Sequence, residues 1–121
     1  MNGQYSSLDE FWPFYVSQHL NPSNRLLHFY GTTLGIVLGI AALVWRAPYV
    51  AVAGLVVAYG FAWVGHFFYE KNRPATFNYP LLSFRADFRM YRLTMLGQMG
   101  AEILLLTKKL KDLRADESPR S

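Results

Sequence analysis

The chain has 121 residues, enough for one domain, and 52% of them are hydrophobic while only 17% are charged; soluble domains usually carry about 25% charged residues. It has no cysteine, which excludes disulfides and thiolate chemistry and leaves His, carboxylate or other oxygen ligands for any metal. The net charge of +4 suits a surface facing phosphate; the apolar composition favours lipid, and no zinc-finger or RNP pattern points to nucleic acid.

The start, "MNGQYSSLDE", is polar and acidic, the wrong order for a cleavable signal. Ser7 and Glu10 form a capping-box pattern that opens an amphipathic helix, with Leu8, Phe11, Trp12, Tyr15 and His19 on its apolar side. Asn21 and Pro22 then read as the cap and first residue of a second helix. Leu26 to Trp45 and Ala47 to Tyr69 are each long and apolar enough to cross a bilayer, with His28 and His66 as their ionisable groups. The tight break at Arg46, Ala47 and Pro48 predicts an antiparallel hairpin. Eleven of the twelve Lys and Arg residues lie beyond its open end, which predicts that both termini face the cytoplasm. The stretch "NRPATFNYPLLSF" predicts an ordered, aromatic loop. A last helix is expected from about Ser83 to Leu113, with Phe84, Phe88, Tyr91 and Met95 on one face and Arg85, Arg89 and Arg92 on another. The tail 114–121 is expected to be disordered. The expectation is thus an all-α integral membrane protein of about four helices: a hairpin with flanking amphipathic helices in a single domain, residues 1–113.

Residues four apart share one helix face, which aligns Gly54, Ala58, Ala62, His66 and Glu70 in the second span, and Asn24, His28 and Thr32 in the first. Gly31, Gly35 and Gly39 form a small-residue stripe that predicts close helix packing. His28 lies 18 residues before Arg46, and His66 lies 19 residues after Ala47. At about 1.5 Å per residue, both sit roughly 28 Å from the turn. His19 joins them at the same end. Three histidines and Glu70 therefore form a candidate metal and catalytic site at the membrane interface. Non-haem Fe(II) suits such ligands, and Zn or Mn also fit.

Other residues admit two readings each. Glu70 pairs with Arg73 or the arginine stripe, or serves the metal site as fourth ligand or outer partner. Arg25, Arg73, Arg85 and Arg89 bind lipid phosphates, or one of them clamps a substrate carboxylate. Asn24 supports a histidine from outside the ligand shell, or serves the start of the second helix. Asn72 is a further candidate outer partner. Asp87 lies between Arg85 and Arg89 as a charge partner that orients them.

The segments "FYVSQHLNPSNRLLHFYGTTL" and "GHFFYEKNRPATFNYPLLSFRADFRM" contain HxxxxNRxxHxxG, then GHxxxExNRPATFxYP, then DxRM. In this order they resemble the Mpo1-like family, from about Leu8 to Leu106. The resemblance implies an Fe(II)-dependent dioxygenase that shortens 2-hydroxy fatty acids by one carbon in alpha-oxidation. It also implies iron at His19, His28 and His66. Its partners would be the lipid substrate, dioxygen and membrane lipids, in the endoplasmic reticulum of a eukaryote or the inner membrane of a bacterium. The competing functions are a non-enzymatic lipid-binding or scaffold membrane protein and a metal-dependent lipid hydrolase.

Overall fold

The computed structural model describes residues 5–117. Among them there are five α-helices and no strand. Helix α1, Leu8–Ser17, starts where the Ser7 hydroxyl accepts the Glu10 N–H at 3.2 Å. The Glu10 carboxylate reaches back to Ser6, at 3.0 Å to its N–H and 2.8 Å to its hydroxyl. The capping box thus closes one residue further out than its usual reciprocal form. Helix α2, Pro22–Val44, is capped by the Asn21 side chain, which accepts from Ser23 N–H at 2.8 Å, with Pro22 in the first turn.

Helix α2 ends at Val44 with Trp45 as its C-cap, and Arg46 then takes the left-handed conformation at φ 52°. Ala47 N–H reaches back to the Ala42 carbonyl at 2.9 Å, and Arg46 N–H to Leu43 at 3.4 Å. These are the two bonds of a Schellman ending, built here on arginine rather than the usual glycine. Pro48 follows at once as the first residue of α3, Pro48–Val64. The reversal packs α3 antiparallel on α2, as the break in the apolar pattern predicts.

The small-residue stripe is used unevenly. A methyl added at Gly31 would lie 2.7 Å from Phe61 Cβ, and one at Gly35 would lie 3.2 Å from the Gly54 carbonyl, so both glycines set the helix approach. Gly39 has nothing within 4 Å. It lines a cavity instead of packing.

The final helix is two helices rather than one. Helix α4, Pro80–Met95, stops before Gly97, which has φ +71°, and α5 runs over Met99–Glu117. Gln98 N–H bonds Leu93 at 2.8 Å and Gly97 N–H bonds Thr94 at 3.1 Å. A second Schellman ending thus terminates α4, this time on the glycine that the motif favours. Residues 114–117, expected in a disordered tail, continue α5; 118–121 lie outside the described residues.

The buried core is not in the hairpin. Phe11, Trp12, Tyr15 and Val16 of α1 pack with Ala75, Ala86, Met90 and Met99, joining α1 to the loop, to α4 and to the start of α5. The Trp12 indole N–H donates to Glu102 at 2.7 Å, and Arg89 reaches Asp9 at 2.9 Å while lying over the Trp12 ring. The hairpin carries its apolar side chains outward: Leu43 is 81% exposed, Trp45 72% and Tyr49 76%. Both Pro22–Val44 and Pro48–Glu70 are long and apolar enough to cross a membrane. The core helix of a soluble protein would bury such residues. Helix α4 reaches the hairpin through Tyr91, whose ring stacks on Phe29 and whose hydroxyl bonds Thr33 at 2.8 Å. A small packed cap therefore sits over the open end of an apolar hairpin.

Candidate metal centre

The three histidines come from three different elements. His19 follows α1, His28 lies in the second turn of α2, and His66 lies just past α3. At Gly65 the winding of α3 widens to a π-helix over Gly65–Glu70. It ends at Lys71 in the left-handed conformation, φ 58°, where Asn72 N–H bonds the His66 carbonyl at 3.0 Å. Such single wide turns are frequent at functional sites.

All three side chains are buried, and their candidate ligand atoms lie within 4.8 Å of one another. The rings stand nearly perpendicular, at 83°, 80° and 88°, with centroids 4.6 to 4.9 Å apart. They do not stack on each other, so ring edges converge.

The outer nitrogens decide what those edges are. His19 Nδ1 lies 2.6 Å from the Tyr15 carbonyl, and His28 Nδ1 lies 2.9 Å from the Asn24 carbonyl. His66 Nδ1 lies 2.7 Å from Asn72 Oδ1. The Asn72 amide is oriented by its own N–H₂, which donates to the Gln18 carbonyl at 3.1 Å. Carbonyl-type oxygens only accept, so each Nδ1 carries the proton and each Nε2 keeps its lone pair. His19 Nε2 and His28 Nε2 then face each other at 3.2 Å with no proton between them. Two opposed lone pairs repel unless a cation bridges them. With metal–nitrogen bonds of about 2.1 Å, adjacent ligand nitrogens stand about 3 Å apart, a spacing that His19 and His28 already have, and the three histidines together could hold a metal ion. Burial, with His28 and His66 as neighbours, pushes His19 well below its usual pKa. The imidazole is therefore neutral at neutral pH, the form that metal ligation requires.

Asn72, a candidate outer partner, meets His66 directly. Asn72→Ala removes the acceptor that fixes the His66 tautomer. Its metal affinity should fall about 10- to 100-fold, the usual effect of losing an outer partner. Titration of the metal into apo-protein checks this; wild-type affinity in the variant would remove Asn72 from the site.

Asn24 supports the centre through its backbone carbonyl. Its side chain is fully buried; Nδ2 points to Glu70 at 3.4 Å, and Oδ1 has no partner among the described residues. Glu70 does not join the histidines. Its carboxylate accepts from Asn21 N–H and holds the start of α2, where the helix dipole favours negative charge. The wide turn explains the difference, because it rotates Glu70 off the α-helical line that it would otherwise share with His66.

The arginines are likewise engaged elsewhere. Arg25 donates to the carbonyls of His19 and Leu20, at 2.9 and 2.8 Å, and clamps the α1–α2 connection. Arg73 lies over Phe77 and Arg89 pairs with Asp9, while Arg85 is exposed. None of the four lines the cavities beside the histidines. Asp87 does not bond the flanking arginines; it accepts from the Tyr15 hydroxyl. Burial pushes the Asp87 carboxyl up to about 7. Tyr15 in turn is raised well above its usual range by burial and by Asp87, and its ring stacks on His19 with centroids 4.0 Å apart. Sequence reasoning missed Tyr15 and Ser83 as site residues. The available signal was the four-residue spacing of Ser83 and Asp87, which puts both on one face of α4.

Two cavities meet at this point. A small hollow is lined by the three histidines with Tyr15, Ser83 and Asp87. Beside it, an almost wholly apolar cavity of about 360 Å³ starts at His28 and Asp87 and follows the hairpin past Gly35 and Gly54 to Gly39. His28 to Gly39 spans roughly 16 Å of helix. The shape suits a long apolar chain whose polar end lies at the histidines.

No curated protein and no solved structure matches the chain. A protein-family model described as "2-hydroxy-palmitic acid dioxygenase Mpo1-like" matches residues 5–99. That match includes all three histidines, the wide turn at Gly65 and both walls of the apolar cavity, and it takes in more than three quarters of the chain: this protein belongs to the Mpo1-like family.

Proposed function

We propose that the chain is an integral membrane, Fe(II)-dependent dioxygenase that shortens 2-hydroxy fatty acids by one carbon. The carrying observation is the convergence of three buried histidines, each with its Nδ1 on a carbonyl-type oxygen, in a hollow that adjoins an apolar cavity at His28 and Asp87. The family description names a 2-hydroxy-palmitic acid dioxygenase, and that chemistry fits the two halves of the site.

Bound at His19, His28 and His66, iron would supply the dioxygen chemistry, which no side chain of this protein can perform. The protein's own residues do the rest. Asn72 and the carbonyls of Tyr15 and Asn24 hold the rings in the ligating tautomer. The glycine-lined cavity takes the acyl chain and leaves its oxygen-bearing end at the histidines. Phe84 and Phe88 wall that cavity on the α4 side. The overall reaction balances without a further reductant: one 2-hydroxy acid and one dioxygen give the shortened acid, carbon dioxide and water.

The test is oxygen uptake by iron-loaded protein in detergent or liposomes, with mass analysis of the product. One oxygen should disappear per 2-hydroxypalmitate, yielding the acid one carbon shorter, while palmitate is left unchanged. Iron-loaded protein that leaves 2-hydroxypalmitate and its chain-length relatives untouched defeats the assignment.

The outward apolar surface of α2 and α3 supports a two-span hairpin, and the basic residues at its open end support cytoplasmic termini. Exposed Arg85, with the lysines of α5, is then available to lipid phosphates. Reporter fusions should give a non-cytoplasmic signal near Ala47 and a cytoplasmic one at residue 121. A cytoplasmic signal at both sites would overturn the topology.

A further inference from the structure

The Ser83 side chain is 2% exposed, lines the histidine hollow, and its hydroxyl has no hydrogen-bond partner among the described residues. A buried hydroxyl left unpaired is costly, and serine at such a place needs a reason. One turn further along α4 is Asp87, which lines both the hollow and the apolar cavity. The Tyr15 hydroxyl holds one of its oxygens in place. Among the described residues no arginine or lysine lines either cavity, so a carboxylate entering here meets no side-chain cation. Besides the histidines, the polar side chains lining the hollow are Tyr15, Tyr59, Thr76, Ser83 and Asp87; Ser83 has an unpartnered hydroxyl, and Asp87 is the carboxylate.

Resting on the functional reading above, we propose that Ser83 and Asp87 recognise the substrate's oxygen atoms: Ser83 donates to the carboxylate, and Asp87 accepts from the 2-hydroxyl. Asp87 is then the residue that distinguishes a 2-hydroxy acid from a plain one. A site built to bond a hydroxyl rejects the analogue lacking it, because its own buried polar group is left unpaired.

The experiment measures anaerobic binding of 2-hydroxypalmitate and palmitate to iron-loaded wild type, Ser83→Ala and Asp87→Asn, together with iron content and thermal midpoint. Ser83→Ala should keep its iron and melt no lower than wild type, since an unpaired hydroxyl is removed. It should bind both acids about tenfold more weakly, the loss of a hydrogen bond to a charged group. Asp87→Asn should keep its iron and lose at least tenfold of the preference for the 2-hydroxy acid. A merely structural role would lower the midpoint and leave that preference alone. Wild-type binding by Ser83→Ala, or undiminished preference in Asp87→Asn, overturns the inference and leaves the functional reading standing. Wild type that turns over no 2-hydroxy acid defeats both.

Discussion

Purified His66→Ala should carry no more than background metal and should show no measurable oxygen uptake with 2-hydroxypalmitate. The reason is geometric. Three neutral imidazoles, each locked by a different acceptor, supply the converging lone pairs, and the Glu70 carboxylate is turned away to the start of α2. Among the described residues no further His, Cys, Asp or Glu joins the three histidines as a candidate ligand. The effect should therefore exceed the 10- to 100-fold expected for an outer partner such as Asn72. Metal bound to the folded state stabilises it, so a chelator should lower the thermal midpoint of wild type and leave that of His66→Ala unchanged. Far-UV helicity should be the same in both proteins. Equal metal in wild type and His66→Ala would dismiss the three-histidine centre.

Gly65→Ala should be the most destabilising single methyl in the hairpin. The added carbon would lie 3.0 Å from Asn24 Cγ, 3.2 Å from its Cα and closer still to its side-chain oxygen. Asn24 cannot yield, because it is 0% exposed and its carbonyl holds His28. Overpacking of this kind costs about 3 kcal/mol, and any shift of α2 that relieves it moves His28 away from His66. Thermal unfolding in detergent and metal content should therefore fall together. Gly60→Ala is the control, since a methyl there meets nothing within 4 Å. Matching midpoints for Gly65→Ala and Gly60→Ala would show that the close approach of α2 and α3 at Asn24 is not required.

The convergence of the histidines is legible in the amino-acid order, because it depends on two regular quantities. The rise per residue fixes depth along each span, and the position of the Arg46–Pro48 turn fixes how the spans align. The apolar runs, the caps at Ser7 and Asn21 and the glycines facing α3 are local patterns of the same kind. Asn72 is also within reach, being the first uncharged polar side chain past the end of the second span. What local pattern misjudges is side-chain direction at the site. Glu70 reads as a partner of His66 under α-helical spacing, and one wide turn sends it to Asn21 and Asn24.

Charge is similarly ambiguous along the chain. Arg25 and Asp87 each carry the charge that a substrate site or an ion pair would use, yet Arg25 clamps two backbone carbonyls and Asp87 meets a tyrosine 72 residues away. Gly97 is visible as a potential break in the last helix, but a lone glycine is tolerated inside helices as well as at their ends. Only the bonds from Gly97 and Gln98 back to α4 distinguish the two cases.

By itself the sequence determined the helical hairpin, the matching positions of His28 and His66 along its two arms, and the absence of any cysteine ligand, since each follows from composition or a constant repeat along one chain segment. Tertiary structure alone decided that Glu70 bonds the start of α2, that Ser83 and Asp87 line the histidine hollow, and that Gly39 lines a cavity instead of closing a helix contact. Those outcomes depend on which atoms from distant segments meet, and on the lone pairs and volumes they bring, which no periodicity within one segment encodes.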